Sequence, residues 1–472
     1  MTTVPGGRMK PLTPGTQYGY SMLKNKENSQ MSYIPRIADK TINDFVADRN
    51  EHKNVLLVEG ARQVGKSFLV AHALRTAAKK SFSLNLEKET RLRSLIDACV
   101  EFGDFDQLLR DRIGFDSGAD QVLFFDEAQE SRKLGAFVRF MKEDWPRATV
   151  ILSGSTLTRL FREETRYPVG RVQRLLMGPL SFSEFLIAEG HDHLAKTVLA
   201  EDPEIAASRH EHLLELYDQF LLTGGLPAVV LARHKKQDYE EVLAQILADY
   251  EQDFIRLFGE ADADIVQACF RSVAHFVGGP SKNTTVLPSP SSRVNARINE
   301  VFARLESWHL ILRSDQRGPG AEANYAYLPK RYLFDTGVLR RLREAAWPSI
   351  RIMRTLAPVA RQPLGGVIEN QTAVELTRQG LALGGWKKTP SGGEIDFVVK
   401  HGHGTCPVEC KASLTFDRKN IRGICDYLTM YGQNLGIVVS LAPQDLFTLS
   451  GGVRVINMPA YLLERLPRCL PA

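Results

Sequence analysis

Residues 60–67 read GARQVGKS, with VLLVE (55–59) before them and KSFLVAHALRTAAKK (66–80) running on from the final pair. The octet fits G-x-x-x-x-G-K-[ST] in the setting that pattern requires, a strand in front and a helix behind. Gly60 and Gly65 let the backbone curl so that successive N–H groups face one point. The helix N-terminus adds the positive end of its dipole there. Lys66 has the reach for the β- and γ-oxygens of a triphosphate, and the Ser67 hydroxyl suits a magnesium ion. Gly60, Ala61, Arg62, Gln63, Val64, Gly65, Lys66, Ser67 and Phe68 are therefore the candidate nucleotide cradle, with ATP and Mg²⁺ as its implied ligands.

Further along, FSLNLE (82–87), VLFFDE (122–127) and TVILSGS (149–155) are strand-length apolar runs separated by helical stretches. Such alternation predicts an α/β core with a parallel sheet covered on both faces. VLFFDE delivers Asp126 and Glu127 to the carboxyl edge, where ligands bind in open α/β sheets. Asp126 is a candidate magnesium ligand through water, and Glu127 a candidate base for the attacking water. An acidic pair opening a helix would serve equally as a cap. Ser155, with Ser153 and Thr156, either faces the γ-phosphate or caps the next helix. Arg171, in VGRVQR, is a candidate for stabilising transition-state charge in cis or towards a neighbouring subunit. Arg166 and Arg174 compete with it, and a solvated arginine is the plainer account. NKEN (25–28) and LSGGV (449–453) resemble guanine-reading and transporter signatures but stand in the wrong order, so ATP is expected over GTP, and a non-transporter class.

The whole chain sets bounds. Its 472 residues suggest about three domains. At 43% hydrophobic and 24% charged it has the make-up of an ordinary globular protein, which excludes global disorder. A net charge of +5 is too small to imply a nucleic-acid partner, so any basic surface is local. No apolar run approaches a membrane span, and MTTVPGGRMKPLTPG lacks a secretory apolar core. Six cysteines are too sparse for a disulfide scaffold. A cytoplasmic protein with no membrane partner is expected. Residues 1–35, rich in Gly, Pro, Ser, Asn and Lys, read as a disordered tail. The pattern changes suggest segments 36–180, 181–264, 265–345 and 346–472.

A second constellation lies in GGEIDFVVKHGHGTCPVECKAS (392–413), which reads as strand, turn, strand. A turn centred between Gly402 and His403 sets Asp396 opposite Glu409, with Cβ atoms about 5 Å apart, and puts Lys411 on the same face. Two carboxylates so close repel unless a cation lies between them. Oxygen ligands favour Mg²⁺ or Mn²⁺, and a metal beside a lysine suits water attack on a phosphodiester. Asp396, Glu409 and Lys411 are thus candidate catalytic residues. Glu369, on the preceding helix, is a further candidate ligand with Asp396 and Glu409. The alternative is a cross-strand charge cluster on a solvated face. Cys406 and Cys410, about 13 Å apart along one strand, do not suit a shared zinc. Arg293, Arg297 and Arg304 flank the apolar stripe of SSRVNARINEVFARLESWHLI (291–311), as a DNA-contacting face or a merely solvated one.

GARQVGKS, DEAQE (126–130), SGS (153–155), GRVQRLLMGPLSFSEFL (170–186), LLTGGLPAVV (221–230), LFDTGVLRRL (333–342), GGVIENQTAVEL (365–376) and EIDFVVK…PVECKAS occur in that order. This series resembles the prokaryotic AAA-type ATPases that carry a C-terminal domain of unknown function related to the PD-(D/E)XK nucleases. The resemblance spans about Pro35 to Val455. It implies an AAA-like core (36–180), a helical lid (181–264), a winged-helix-like segment (265–345) and a restriction-endonuclease-like α/β domain (346–472). It also implies the roles given to Lys66, Ser67, Asp126 and Glu127, a Gly-Arg pair at Gly170-Arg171, and nuclease-type positions at Glu369, Asp396, Glu409 and Lys411. Ser67 replaces a commoner Thr, and Tyr167-Pro168-Val169 replaces a small-residue run. The implied activity is ATP hydrolysis coupled to a DNA-associated, nucleolytic C-terminal domain in an oligomer-forming protein. The alternative is a nucleotide-switched protein-interaction module whose nuclease-like domain is inactive.

Overall fold

The computed structural model describes residues 33–161, 168–201, 205–319, 327–343, 347–389, 393–402, 404–417 and 421–471. The tail to residue 32, the NKEN stretch, Arg166, Tyr167 and His403 lie outside the described residues.

Strands β1 (Val55–Glu59), β2 (Lys80–Asn85), β3 (Gln121–Asp126), β4 (Thr149–Gly154) and β5 (Val172–Leu176) form one sheet in the order β2-β3-β4-β1-β5. Every neighbouring pair is parallel. Position explains composition. The inner strands β1 and β4 are buried along their whole length, and β3 is buried from its second residue on. The edge strands β2 and β5 mix exposed and half-buried positions. Parallel strands covered on both faces need apolar side chains on both sides, whereas an edge strand does not. Helix Lys66–Thr76 follows β1 and buries Leu69, Val70, Ala73 and Leu74.

Helices dominate the next stretch: Phe182–Ala188, Asp192–Leu199, Ala207–Thr223, Pro227–His234, Tyr239–Phe258 and Glu260–His275. Ser181 caps the first of these in a reciprocal box with Glu184, which satisfies two orphan N–H groups at once. Helix Ser292–Ser307 buries Ile298, Val301, Phe302 and Leu305, and Ser291 caps its start.

The remaining strands are β6 (Ile311–Arg317), β7 (Lys330–Leu333), β8 (Gly384–Lys387), β9 (Glu394–Ile395), β10 (Phe397–His401), β11 (Gly404–Cys410), β12 (Leu435–Ser440), β13 (Asp445–Thr448) and β14 (Arg454–Pro459). One sheet runs β10-β11-β12-β14-β13 and another β7-β6-β8-β9. The second sheet crosses the expected boundary at 345/346, because β6 pairs with β8 through Asp315–Gly384, Gln316–Gly385 and Arg317–Trp386.

The hairpin β10–β11 has the expected register, with Phe397 opposite Val408 and His401 opposite Gly404. EIDFVVK, however, is not one strand. It splits at Asp396: Glu394–Ile395 joins β8 and Phe397 onward joins β11. Asp396 is the hinge between the sheets, and its Oδ2 accepts the backbone N–H of Cys410 at 2.9 Å. The helix carrying Glu369 runs Pro358–Arg378. Pro358 takes the first helical position, where a missing N–H costs nothing.

Candidate functional site

The loop after β1 turns through Gly60 at φ +144°, Gln63 at φ +65° and Gly65 at φ +97°. At Gly60 the requirement is steric as well, since a Cβ would lie 2.0 Å from the Met177 carbonyl oxygen. Lys66 is buried, and its Nζ donates to the carbonyls of Gly60 (3.0 Å) and Ala61 (2.7 Å). Burial is the largest influence on this ammonium and pulls its pKa down to about 8, against the opposing fields of Glu127 and Asp126.

Asp126, at the end of β3, lies directly against the start of the loop helix. Its Oδ1 accepts from Ser67 Oγ at 2.9 Å and from Ser153 Oγ; its Oδ2 accepts from Asn85 Nδ2 at 3.0 Å. A carboxylate and a hydroxyl so placed match the donor set of a magnesium–phosphate site. Glu127 follows in the left-handed region at φ +50°, a strained conformation for a non-glycine residue. Gln129 Nε2 donates to Glu127 Oε2 at 2.6 Å. Burial raises the Glu127 carboxyl above its ordinary value, the direction that improves a general base.

A pocket opens beside this pair, lined by Arg62, Glu127, Gln129, Ser155, Tyr250 and Asp253 among others. Ser155 thus lines the same pocket as Glu127, while Ser153 is turned to Asp126. Helix Tyr239–Phe258 covers the loop: Tyr250 Oη donates to the Arg62 carbonyl at 2.8 Å, Gln63 Nε2 donates to Asp249 at 3.0 Å, and Arg62 pairs with Asp253. Arg36 braces the loop from behind through the carbonyls of Val64 and Gly178, each at 2.8 Å. Phe68 is exposed.

Arg171 is placed differently from its reading in cis. Its carbonyl accepts the N–H of Val55 at 2.9 Å, at the start of β1, and its side chain pairs with Glu143 at 2.8 Å. The loop leaves the other end of β1, roughly 13 Å away at ~3.3 Å per residue. Arg171 therefore cannot serve the loop of its own chain. Arg174 is at the loop end, where it pairs with Glu59 through Nε at 3.1 Å and through Nη2. His309 approaches the same carboxylate at 3.8 Å. Burial, then Arg174 and Lys66, push the His309 imidazole down to about 4.

In the C-terminal constellation, Asp396, Glu409 and Lys411 come together as expected, but around a residue the sequence reading did not include. Lys330, on β7, is buried and donates to Glu369 Oε1 at 2.8 Å and Asp396 Oδ1 at 3.0 Å, and it pairs with Glu394. Tyr332 Oη donates to the same Glu369 oxygen at 2.7 Å. Lys411 pairs with Glu409 Oε1, while the buried Glu409 Oε2 has no hydrogen-bond partner among the described residues. Burial and the Asp396 charge push the Glu369 and Glu409 carboxyls up, while Lys330 and Lys411 oppose this by favouring their charged forms. Among the described residues no group of three or more His, Cys, Asp or Glu is arranged to hold a metal ion. The expected metal between Glu369, Asp396 and Glu409 is thus corrected: an ammonium group neutralises Glu369 and Asp396. The arginine helix differs too, since Arg297 pairs with Asp262 and Glu300, and Arg304 with Glu300.

Comparison with known sequences agrees with the loop geometry. Residues 52–186 match a family described as AAA domain. This part of the chain is similar to AAA domains. Residues 214–349 and 364–461 match two domains of unknown function, DUF8612 and DUF4143. A protein of Haemophilus influenzae described as uncharacterized is 24% identical over 387 residues, covering 79% of this chain and 84% of that relative. Among solved structures, Drosophila ORC bound to DNA aligns over 58% of this chain and 86% of its own at 11% identity and a TM-score of 0.28. A structure concerned with katanin self-assembly aligns over 43% and 68% at 11% identity and a TM-score of 0.27. Among the described residues no helix is long and apolar enough to cross a membrane.

Around the loop the sequence reading missed Arg36, Asn85 and Gln129. For Gln129 a signal existed, since it falls in the DEAQE string. Arg36 and Asn85 act through contacts between distant elements and left no local pattern.

Proposed function

We propose that this chain binds Mg-ATP at residues 60–67 and hydrolyses it, using the nucleotide state to move the segments packed around the loop. The carrying observation is the direct contact of Ser67 Oγ with Asp126 Oδ1 at 2.9 Å, beside a buried lysine that donates to the loop carbonyls of Gly60 and Ala61. Ser67 and Asp126 would hold the magnesium ion. When bound, that ion neutralises charge on the phosphate oxygens. Lys66 turns from the Gly60 and Ala61 carbonyls to the phosphates, Glu127 draws a proton from the attacking water, and Gln129 holds Glu127 in place. Arg171, at the far end of β1, acts across an interface between copies in a homo-oligomer. Phosphate release from ATP with Mg²⁺ tests the reading. Glu127→Gln should slow it by about 10²–10⁴-fold, and unchanged turnover would refute it.

The partition into lid, winged-helix-like and nuclease-like units, and a cytoplasmic setting, belong to the same proposal. DNA association is its weaker part, because Arg297 and Arg304 are already paired with acidic neighbours. The second reading, a nucleotide-switched protein-interaction module with a catalytically silent C-terminal segment, is favoured by the placement of Lys330. Salt-sensitive DNA binding would support the DNA-associated reading, and salt-insensitive capture of protein partners the other.

A further inference from the structure

We infer that Lys330 is the resident cation of the C-terminal acidic cluster, standing where a divalent metal would otherwise bind and locking the middle of the chain onto its C-terminal part. The inference rests on the second reading above, and not on the nucleotide site. Its basis is the shared ammonium. One Nζ serves Glu369 from helix Pro358–Arg378, Asp396 from the break between β9 and β10, and Glu394 from β9. Of the three donors of a primary ammonium, two are hydrogen-bonded to carboxylates, and a third carboxylate, Glu394, pairs with the same charge.

The neighbouring residues act in the same direction. Asn370, next to Glu369, accepts the Leu333 N–H at 2.8 Å and donates to the Leu333 carbonyl at 2.9 Å. The side-chain amide therefore continues the pairing of β7 as a further strand would. Tyr332 closes the remaining side against Glu369. Three of the four residues of β7 are thus held by two successive residues of one helix and the acids beside them. A tethered lysine differs from a metal ion in one decisive respect: it cannot activate water as a Lewis acid. The cluster accordingly fastens two parts of the chain and does not cleave phosphodiesters.

Lys330 also masks the oxygens it binds. Without it, Glu369, Asp396 and Glu394 are left uncompensated, as hard oxygen donors of the kind Mg²⁺ and Mn²⁺ prefer. The test is a titration of the nucleotide-free, full-length protein with Mn²⁺, counting bound ions by the electron paramagnetic resonance of free Mn²⁺. The wild type should bind no ion that is lost on Asp396→Asn. Lys330→Ala should gain one ion per chain and melt at a higher temperature with Mn²⁺ than without. Both effects should vanish in Lys330→Ala with Asp396→Asn, and Lys330→Arg should gain no ion. Uptake of Mn²⁺ by the wild type that Asp396→Asn removes would overturn the inference, whether or not Lys330→Ala folds. A folded Lys330→Ala that gains no ion would overturn it equally. Failure of ATP hydrolysis is read in a separate assay and leaves this result standing.

Discussion

Two buried lysines in this protein face opposite surroundings. Among the described residues Lys66 has only the carbonyls of Gly60 and Ala61 as hydrogen-bond partners, and burial pulls its pKa down to about 8. Lys330 is held by three carboxylates. Burial works against its charge too, but the fields of Asp396, Glu369 and Glu394 outweigh it and raise its pKa. An ammonium group left on neutral carbonyls has much to gain from an anion, and one surrounded by carboxylates has nothing further to gain. A lysine among acids is therefore a poor guide to a reactive site until its own partners are known.

The largest effect that would break the comparison is on folding. Lys330→Ala leaves buried carboxylates without their cation and should cost about 3–5 kcal/mol, read as a shift in the urea midpoint at unchanged slope. A loss below about 1 kcal/mol would show that the carboxylates shed their charge at no cost. Lys66→Ala should act in the other direction. It should cut ATP hydrolysis by about 10²–10³-fold, the scale of one lost charge-stabilising donor, without a comparable loss of stability. Phosphate release and the urea midpoint of the same variant measure both.

A smaller effect lies in pH dependence beside the loop. His309 titrates at about 4 in the folded chain against an ordinary 6.5, so between those values the unfolded chain binds the extra proton. The stability from this neutral ring is whole above about pH 6.5 and is lost as pH falls through about 4. His309→Gln should flatten the decline in unfolding midpoint between pH 7 and pH 4. An unchanged profile would remove His309 from the account. Smallest is the Arg62–Asp253 pair, which is partly exposed and worth at most about 1 kcal/mol. Asp253→Asn frees Arg62 and should tighten binding of a fluorescent ATP analogue by less than about tenfold.

The candidate nucleotide loop was legible because its pattern is local: eight successive residues carry the turn, the lysine and the hydroxyl. The acidic pair was legible because a strand of apolar residues has only one place to end. The register of the β10–β11 hairpin followed from its short turn. Lys330 was not legible, since it meets Glu369 and Asp396 across 39 and 66 residues of chain, and PKRYLF has no pattern that marks it. Whether Arg171 lies near the loop of its own chain was not legible for a related reason. Which end of the sheet it occupies depends on β5 running parallel to β1, and no spacing in VGRVQR encodes that. The break at Asp396 escaped notice because alternation continues across it.

The sheet that β6 shares with β8 has a practical consequence. Severing the polypeptide near residue 345 would strip β8 of its neighbour along Gly384–Trp386, leaving a row of bare amides and carbonyls as a template for adhesion between molecules. A fragment beginning there should therefore clump or scavenge a foreign strand. Anyone wishing to study the distal third by itself would have to carry Ile311–Leu333 along with it.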